Sequence, residues 1–400
     1  MKRHLIGIGG VGMSALATAL VRLGEEVTGA DRNLSTPNIA FLRSFGVKCF
    51  PDDGSGVDSA TDEVIVSTAI EDDNPGLLRA KALGIPVTHR AKALARALAS
   101  RRLVAVVGTC GKSTVTAMLG HVLAECGLDP FCVNGANVPG WEGAVRFGRG
   151  EFAVAEVDES DRSLVAFSPY AAIVTNASAD HYSKEEMDEV FDAFIKNCEG
   201  PVVDGRVSTG EADVSALGRH NRNNAFLALE MAKALGCDEA RARAALMTFK
   251  GVERRLQPHG ANVFDDYAHN PEKIRAMWTT LAERYEGGIC VVWRPHGYAP
   301  LRKMMDALAA MFNATIRPQD RLLLLPVYDA GGTTDRSVNS DALAAKVARC
   351  ELVRGHDDAF GWITSHAGEF AAFATCGARD PELPALAKRI SRFVGGATGG

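Results

Sequence analysis

Leu103-Val104-Ala105-Val106-Val107-Gly108-Thr109-Cys110-Gly111-Lys112-Ser113-Thr114 is the stretch on which the fold turns. Five apolar residues in succession suit a strand covered on both faces, as in a parallel sheet. Glycines then open a loop, and the residues from Lys112 to about Cys126 carry a helical pattern. A strand, a glycine loop and a helix N-terminus together make a phosphate cradle, because bare backbone N–H groups converge there and no Cβ blocks the approach. A full G-x-x-x-x-G-K spacing would need glycine at 106, where Val106 stands, so this is the shorter Gly108-x-x-Gly111-Lys112-Ser113 form. The chemistry is the same: Lys112 brings a cation to the outer phosphates and the Ser113 hydroxyl is placed for magnesium.

A second glycine loop lies upstream. Gly7-x-Gly9-x-x-Gly12 follows a strand read at 4–8 and opens a helix read at 13–23, with Gly10, Val11, Met13 and Ser14 in the turn. Asp31, about twenty residues on, closes the next strand, where a ribose or base contact is expected. This motif alone suits a dinucleotide and a UDP-sugar equally. Further strands at 26–30, 63–67 and 86–89 alternate with amphipathic helices, which predicts a parallel, doubly wound sheet. Polar Ala99-Ser100-Arg101-Arg102 sets the first boundary, giving an N-terminal domain of residues 1–100. Strands at 152–156 and 171–175 and a helix at 225–235 make residues 101–250 a central α/β domain. After Gly251-Val252-Glu253-Arg254-Arg255 come strands at 262–265, 289–293 and 321–326, with helices at 271–285 and 301–312, so residues 251–400 form a third. The tail Gly395-Gly396-Ala397-Thr398-Gly399-Gly400 reads as frayed.

Composition narrows the function. The 400 residues are 46% apolar, enough to fill separate cores in two or three domains. With 44 basic against 49 acidic residues, the chain has no electrostatic footprint for nucleic acid. Nine scattered cysteines without a C-x-x-C pair fit reduced thiols and a cytoplasmic setting. The glycines embedded in the apolar stretch after Lys2-Arg3 spoil it as a signal peptide, and no apolar run approaches the ~18 residues of a membrane span.

Glu156 ends an apolar strand, and His181 follows Thr175-Asn176-Ala177-Ser178-Ala179-Asp180. Both fall at carboxyl ends of parallel strands, where open α/β sheets bind ligands. With ten ordered motifs, the chain resembles the Mur ligase family, nearest its alanine-adding branch. They are HLIGIGGVGMSALA (4–17), STAIEDDNP (67–75), GTCGKST (108–114), AEVDESD (155–161), TNASADH (175–181), GRHNRNNA (218–225), GVERRLQ (251–257), DDYAHNP (265–271), RPHGY (294–298) and LPVYDAGG (325–332).

The resemblance implies an α/β fold of three domains: an N-terminal Rossmann-like one for a UDP-linked substrate, a central P-loop-type ATPase and a C-terminal Rossmann-like one that closes over nucleotide and amino acid. It implies an ATP-dependent ligase of the cytoplasm that makes an acyl phosphate and then an amide, with magnesium. The ATP side would comprise Gly108, Thr109, Gly111, Lys112, Ser113, Thr114, Asn221, Asn224, Arg255 and Asp266, and the metal would be held by Ser113, Glu156 and His181. Lys112, Glu156 and His181 would be catalytic, with His269, His296 and Tyr298 on the acceptor side and His220 facing the cleft. No lysine between Lys184 and Lys196 stands for the carbamylated residue of other branches.

Several departures fall on the substrate side. Cys110 stands for histidine, Arg294 for glutamine, Gly297 and Pro300 for arginines, Asn270 for histidine and Gly332 for an acidic residue, and the segment between Asn197 and Gly218 is short. Glycine cannot mimic a guanidinium. A different donor or acceptor, as in muramyl-peptide recycling or a non-murein ligation, and a silent ATP-binding homologue therefore stand beside the standard ligation of UDP-N-acetylmuramate and L-alanine.

Overall fold

A computed structural model describes residues 1–158, 163–177, 184–260, 262–329 and 335–397. Three sheets, dominated by parallel strands, organise them. In the first, β1 (Lys2–Ile6), β2 (Glu26–Asp31), β3 (Lys48–Pro51), β4 (Glu63–Val66) and β5 (Val87–His89) lie in the order β3-β2-β1-β4-β5, all parallel.

The second contains β6 (Arg102–Val107), β7 (Phe131–Val133), β8 (Val145–Arg146), β9 (Phe152–Glu156), β10 (Ala171–Val174) and β11 (Val202–Asp204) in the order β11-β10-β6-β9-β7-β8. Only β8 pairs antiparallel there. The third runs β12-β13-β17-β14-β15-β16, from β12 (Gln257–Pro258), β13 (Val263–Asp266), β14 (Ile289–Trp293), β15 (Arg321–Leu324), β16 (Cys350–Leu352) and β17 (Ala372–Cys376).

Continuous apolar strands follow from burial on both faces. In β6, Leu103, Ala105 and Val107 enter one core while Val104 and Val106 enter another. In β14, Ile289, Val291 and Trp293 point into one core and Cys290 and Val292 into its opposite. The first two sheets do not keep wholly separate cores: Leu16 and Leu20 share one apolar cluster with Phe131, Val145 and Phe167. Arg22 pairs with Glu142 across the same junction. Accordingly the chain divides into two compact units, Met1–Ala216 with Asn221–Val252, and Leu217–His220 with Glu253–Gly400.

Some boundaries differ from expectation. The first strand is Lys2–Ile6, because Gly7 already turns at φ +73°. The helix expected at 225–235 starts at Arg219, so its polar first two turns include Asn221 and Asn224. Strand β17, central to the third sheet, went unread in the run Ala371-Ala372-Phe373-Ala374-Thr375-Cys376, whose alanines give no strand periodicity. The last helix extends to Ala397 through residues expected to fray.

All nine cysteines are free thiols. Among the described residues no helix is long and apolar enough to cross a membrane.

One buried histidine gives the first unit a pH-dependent stability. His4 is fully buried, its Nδ1 2.9 Å from Thr28 Oγ1, and burial with the nearby Lys2 charge pushes its pKa down to about 4. The unfolded chain therefore binds a proton more readily, and the contribution is intact above the ordinary value near 6.5 and lost as pH falls toward 4. Chemical denaturation between pH 7 and pH 4 is expected to show a loss of about 3 kcal/mol in this unit that His4→Gln removes.

Candidate active site

The carboxyl ends of three adjacent strands, β10, β6 and β9, build the central site. After β6, Gly108 takes φ +128° and Gly111 φ +86°, and the helix Lys112–Glu125 begins directly after Gly111. No side chain caps that helix, so its first N–H groups face the loop. A Cβ on Gly108 would lie 2.1 Å from Thr175 Oγ1, and one on Gly111 would lie 2.7 Å from Asn224 Oδ1. Both positions thus require glycine for space as well as for backbone angle.

The loop is fixed by β10's continuation. Asn176 accepts from Thr109 Oγ1 at 2.6 Å and from the Cys110 N–H at 3.0 Å, while its amide donates to the Cys110 carbonyl at 2.9 Å. Thr175 Oγ1 donates to the same carbonyl at 2.6 Å. Lys112 Nζ donates to the Gly108 carbonyl at 2.6 Å, which sets the ammonium over the loop. Ser113 and Thr114 are buried in the first helical turn.

Glu156 ends β9, and its Oε2 accepts from the Gly135 N–H at 2.8 Å. Gly135 has no freedom to carry a side chain, since a Cβ would lie 2.4 Å from that oxygen. Asn221 and Asn224 are buried in the helix Arg219–Ala234, with Asn224 Nδ2 3.5 Å from Asn221 Oδ1. Asn224 is brought to the loop; His220 of the same helix is exposed. His181 lies outside the described residues, as do Asp180 and Gly332.

At the N-terminal loop, Asp31 fastens the glycines. Its Oδ2 accepts from the Gly9 N–H at 2.8 Å and its Oδ1 from the Asn33 N–H at 3.0 Å. Gly10 precedes the helix Val11–Arg22 without a side-chain cap. Val11 is exposed, Met13 is buried in the core, and Ser14 returns its hydroxyl to the Val11 carbonyl at 2.9 Å. Met13 can therefore offer a ligand only backbone. A Cβ on Gly12 would lie 2.8 Å from an Arg90 guanidinium nitrogen, so Arg90 overhangs this loop.

The second unit gathers its own candidates at the carboxyl edge of its sheet. Asp266 accepts from the N–H groups of Leu256 and Ala268, each at 2.7 Å, and burial nevertheless raises its pKa to about 6. Arg255 lies 5.4 Å from the Tyr267 ring centre. His269 and His296 meet edge to face at 4.9 Å. Tyr298 opens the helix Tyr298–Thr315, and Arg336 lies 5.8 Å from its ring centre.

Two departures have local roles in the fold. Asn270 caps the helix Pro271–Arg284 by accepting from the Lys273 N–H at 2.9 Å. Arg294 pairs with buried Asp380 at 2.9 Å. Sequence reasoning missed the clamps Thr175 and Asn176, the space-giving Gly135, and Arg90. Asn176 and Thr175 had a signal, sitting within a quoted motif at a strand end, whereas Gly135 and Arg90 had none.

Known proteins resemble this chain over most of its length. A model described as Mur ligase family, catalytic domain, matches residues 2–102, and one described as Mur ligase, glutamate ligase domain, matches residues 252–379. A Rubrobacter xylanophilus UDP-N-acetylmuramate–L-alanine ligase is 35% identical over 385 residues, covering 83% of this chain and 85% of that protein. An Agrobacterium fabrum protein of the same name is 32% identical, with 89% and 87% covered. The crystal structure of UDP-N-acetylmuramate-alanine ligase from Thermotoga maritima superposes with a TM-score of 0.80 at 26% identity, covering 99% of this chain and all of that one.

Proposed function

The chain belongs to the Mur ligase family and is an ATP-dependent ligase, and from that premise we propose that it joins the carboxylate of UDP-N-acetylmuramate to the amine of L-alanine through an acyl phosphate. The observation that carries the reading is the clamped loop at 108–113, with the Lys112 ammonium over it and the Glu156 carboxylate on the neighbouring strand end. In this reading Gly108, Thr109, Gly111, Lys112, Ser113 and Thr114 hold the ATP phosphates. Asn221, Asn224, Arg255 and Asp266 serve the rest of the nucleotide. Residues 1–100 hold the UDP-linked substrate through Gly7, Gly9, Gly10, Gly12 and the N–H groups around them, with Asp31 keeping the loop in shape and Arg90 adding a cation. Residues 101–250 hold ATP, and residues 251–400 serve nucleotide and amino acid, with His269, His296 and Tyr298 on the acceptor side.

Magnesium suits the donors, since the Ser113 hydroxyl and the Glu156 carboxylate are hard oxygen ligands, with His181 expected beside them. When bound, it supplies charge that draws phosphate oxygens together and offsets their repulsion. Lys112 and the helix N-terminus offset charge on the transferred phosphoryl group, so catalysis is positioning and electrostatics, without a protein nucleophile. The γ-phosphoryl group passes to the donor carboxylate; the amine then attacks the acyl carbon and phosphate leaves. Cys110 needs no covalent role, because its backbone already anchors the loop.

Two measurements test this. Phosphate release from ATP and magnesium should require both UDP-N-acetylmuramate and an amino acid, with L-alanine preferred across a panel; release with a different acceptor would reassign the substrate, and none with any would reject the ligation. Gly135→Ala should push Glu156 from its place and raise the magnesium needed for half-maximal rate at least about tenfold, the equivalent of one lost charge-assisted contact.

A further inference from the structure

In the second unit, β13, β17 and β14 are parallel neighbours that end level, with Asp266 and Trp293 both registered on Cys376. The loops leaving these three ends bring together a group of imidazoles and cations. β13 leads to His269 and, one turn into the next helix, Lys273; β14 leads to His296; β17 leads through Gly377 to Arg379. The imidazole rings touch edge to face at 4.9 Å. Burial, then the charge of Lys273, takes His269 down to about 4, and burial with the charges of Arg379 and Lys273 lowers His296. Both rings are biased toward the neutral form, the Arg379 charge contributing at His296.

Arg379 stands in an expensive conformation. Its φ is +66°, the left-handed region that glycine adopts freely and arginine does not. The surrounding loop is locked around it. A Cβ on Gly377 would lie 2.8 Å from the Arg294 carbonyl oxygen. Asp380, only 1% exposed, pairs with Arg294 and with His356, each at 2.9 Å. Burial opposes ionisation of Asp380, yet His356 and Arg294 hold its pKa down to about 2. Despite the strain, Arg379 is exposed, and among the described residues no carboxylate pairs with it. Nearby, Gly297 and Pro300 supply no cation in the first turn of the helix Tyr298–Thr315, and that helix begins without a side-chain cap.

We propose that Arg379, on the loop that leaves the sheet between those carrying the two imidazoles, receives the carboxylate of the incoming amino acid, replacing the cations absent at 297 and 300. The proposal rests on the ligase reading above. A guanidinium reads a carboxylate bidentately. The acceptor is thereby specified as an amine that carries a free carboxylate.

The test compares L-alanine with L-alaninamide, which keeps the amine and lacks the carboxylate, as acceptors in phosphate release with ATP, magnesium and UDP-N-acetylmuramate. Arg379→Gly is expected to raise the KM for L-alanine about ten- to a hundredfold, the range of a charge-assisted contact. The KM for ATP and the efficiency with L-alaninamide should hold, and Tm should hold or rise because glycine is unstrained there. Arg379→Lys should recover part of the loss. An unchanged KM for L-alanine, or an equal loss with L-alaninamide or ATP, would overturn the assignment while leaving the ligase reading standing. Should the wild-type protein ligate neither acceptor, the ligase reading fails instead, and calorimetric titration of L-alanine into the ATP-loaded protein decides the arginine alone. Binding that Arg379→Gly abolishes supports it; no binding to wild type overturns it.

Discussion

Lys112→Ala is expected to lower the rate of phosphate release about a hundred- to a thousandfold, the cost of removing one preorganised charge from a transferring group. The ammonium is held over the loop by the Gly108 carbonyl at 2.6 Å, so little reorganisation separates the resting arrangement from one that meets a phosphate. The variant should fold, because a partly exposed side chain at the start of a helix is lost and alanine is a good helix former. Lys112→Arg keeps the charge but substitutes a planar fork for a point charge in a tight loop, and should recover only a minor part of the rate. The check is kcat for phosphate release beside a thermal melt. Near-wild-type kcat in Lys112→Ala would remove Lys112 from the chemistry.

The second large effect is structural in origin. In Gly108→Ala the new methyl would fall 2.1 Å from Thr175 Oγ1 and 3.0 Å from the Asn176 nitrogen, at φ +128°. Left-handed strain and overpacking each cost about 1–3 kcal/mol, and the displaced residues are those that clamp the loop. Both stability and activity should therefore fall, by about 2–5 kcal/mol in denaturation and to little measurable turnover. Thr175→Ala removes the nearest clashing atom without touching the backbone angle. The double variant should be less destabilised than the sum of the singles by at least about 0.5 kcal/mol; strict additivity would mean that the overlap is not the cause.

What could be read in the sequence follows from where the information is stored. Strands β6, β9 and β14 announce themselves because burial on both faces demands unbroken apolar runs, and two glycine loops at strand ends declare phosphate chemistry through local spacing. Contacts made at long range leave no such trace. Gly135 makes room for Glu156 across 21 positions, and Arg90 overhangs Gly12 from the far end of the first sheet. Arg294 illustrates the converse. It reads as a departure from a binding motif, yet it neutralises buried Asp380, 86 positions away. Arg379 had no signal in sequence, since only its backbone angle distinguishes it from other exposed arginines.

The alignment with the Rubrobacter relative runs to 385 residues while using 83% of this 400-residue chain, so that relative carries segments absent here. In this chain the segment between Asn197 and Gly218 holds the three-residue β11 and loops.

Isotope transfer tests the central claim most directly. With UDP-N-acetylmuramate labelled by ¹⁸O in its carboxylate, together with ATP, magnesium and L-alanine, an acyl phosphate requires that the released inorganic phosphate carry one ¹⁸O per amide formed. Amide formed with unlabelled phosphate would contradict the mechanism, and labelled phosphate lost equally in Lys112→Ala and wild type would contradict the site.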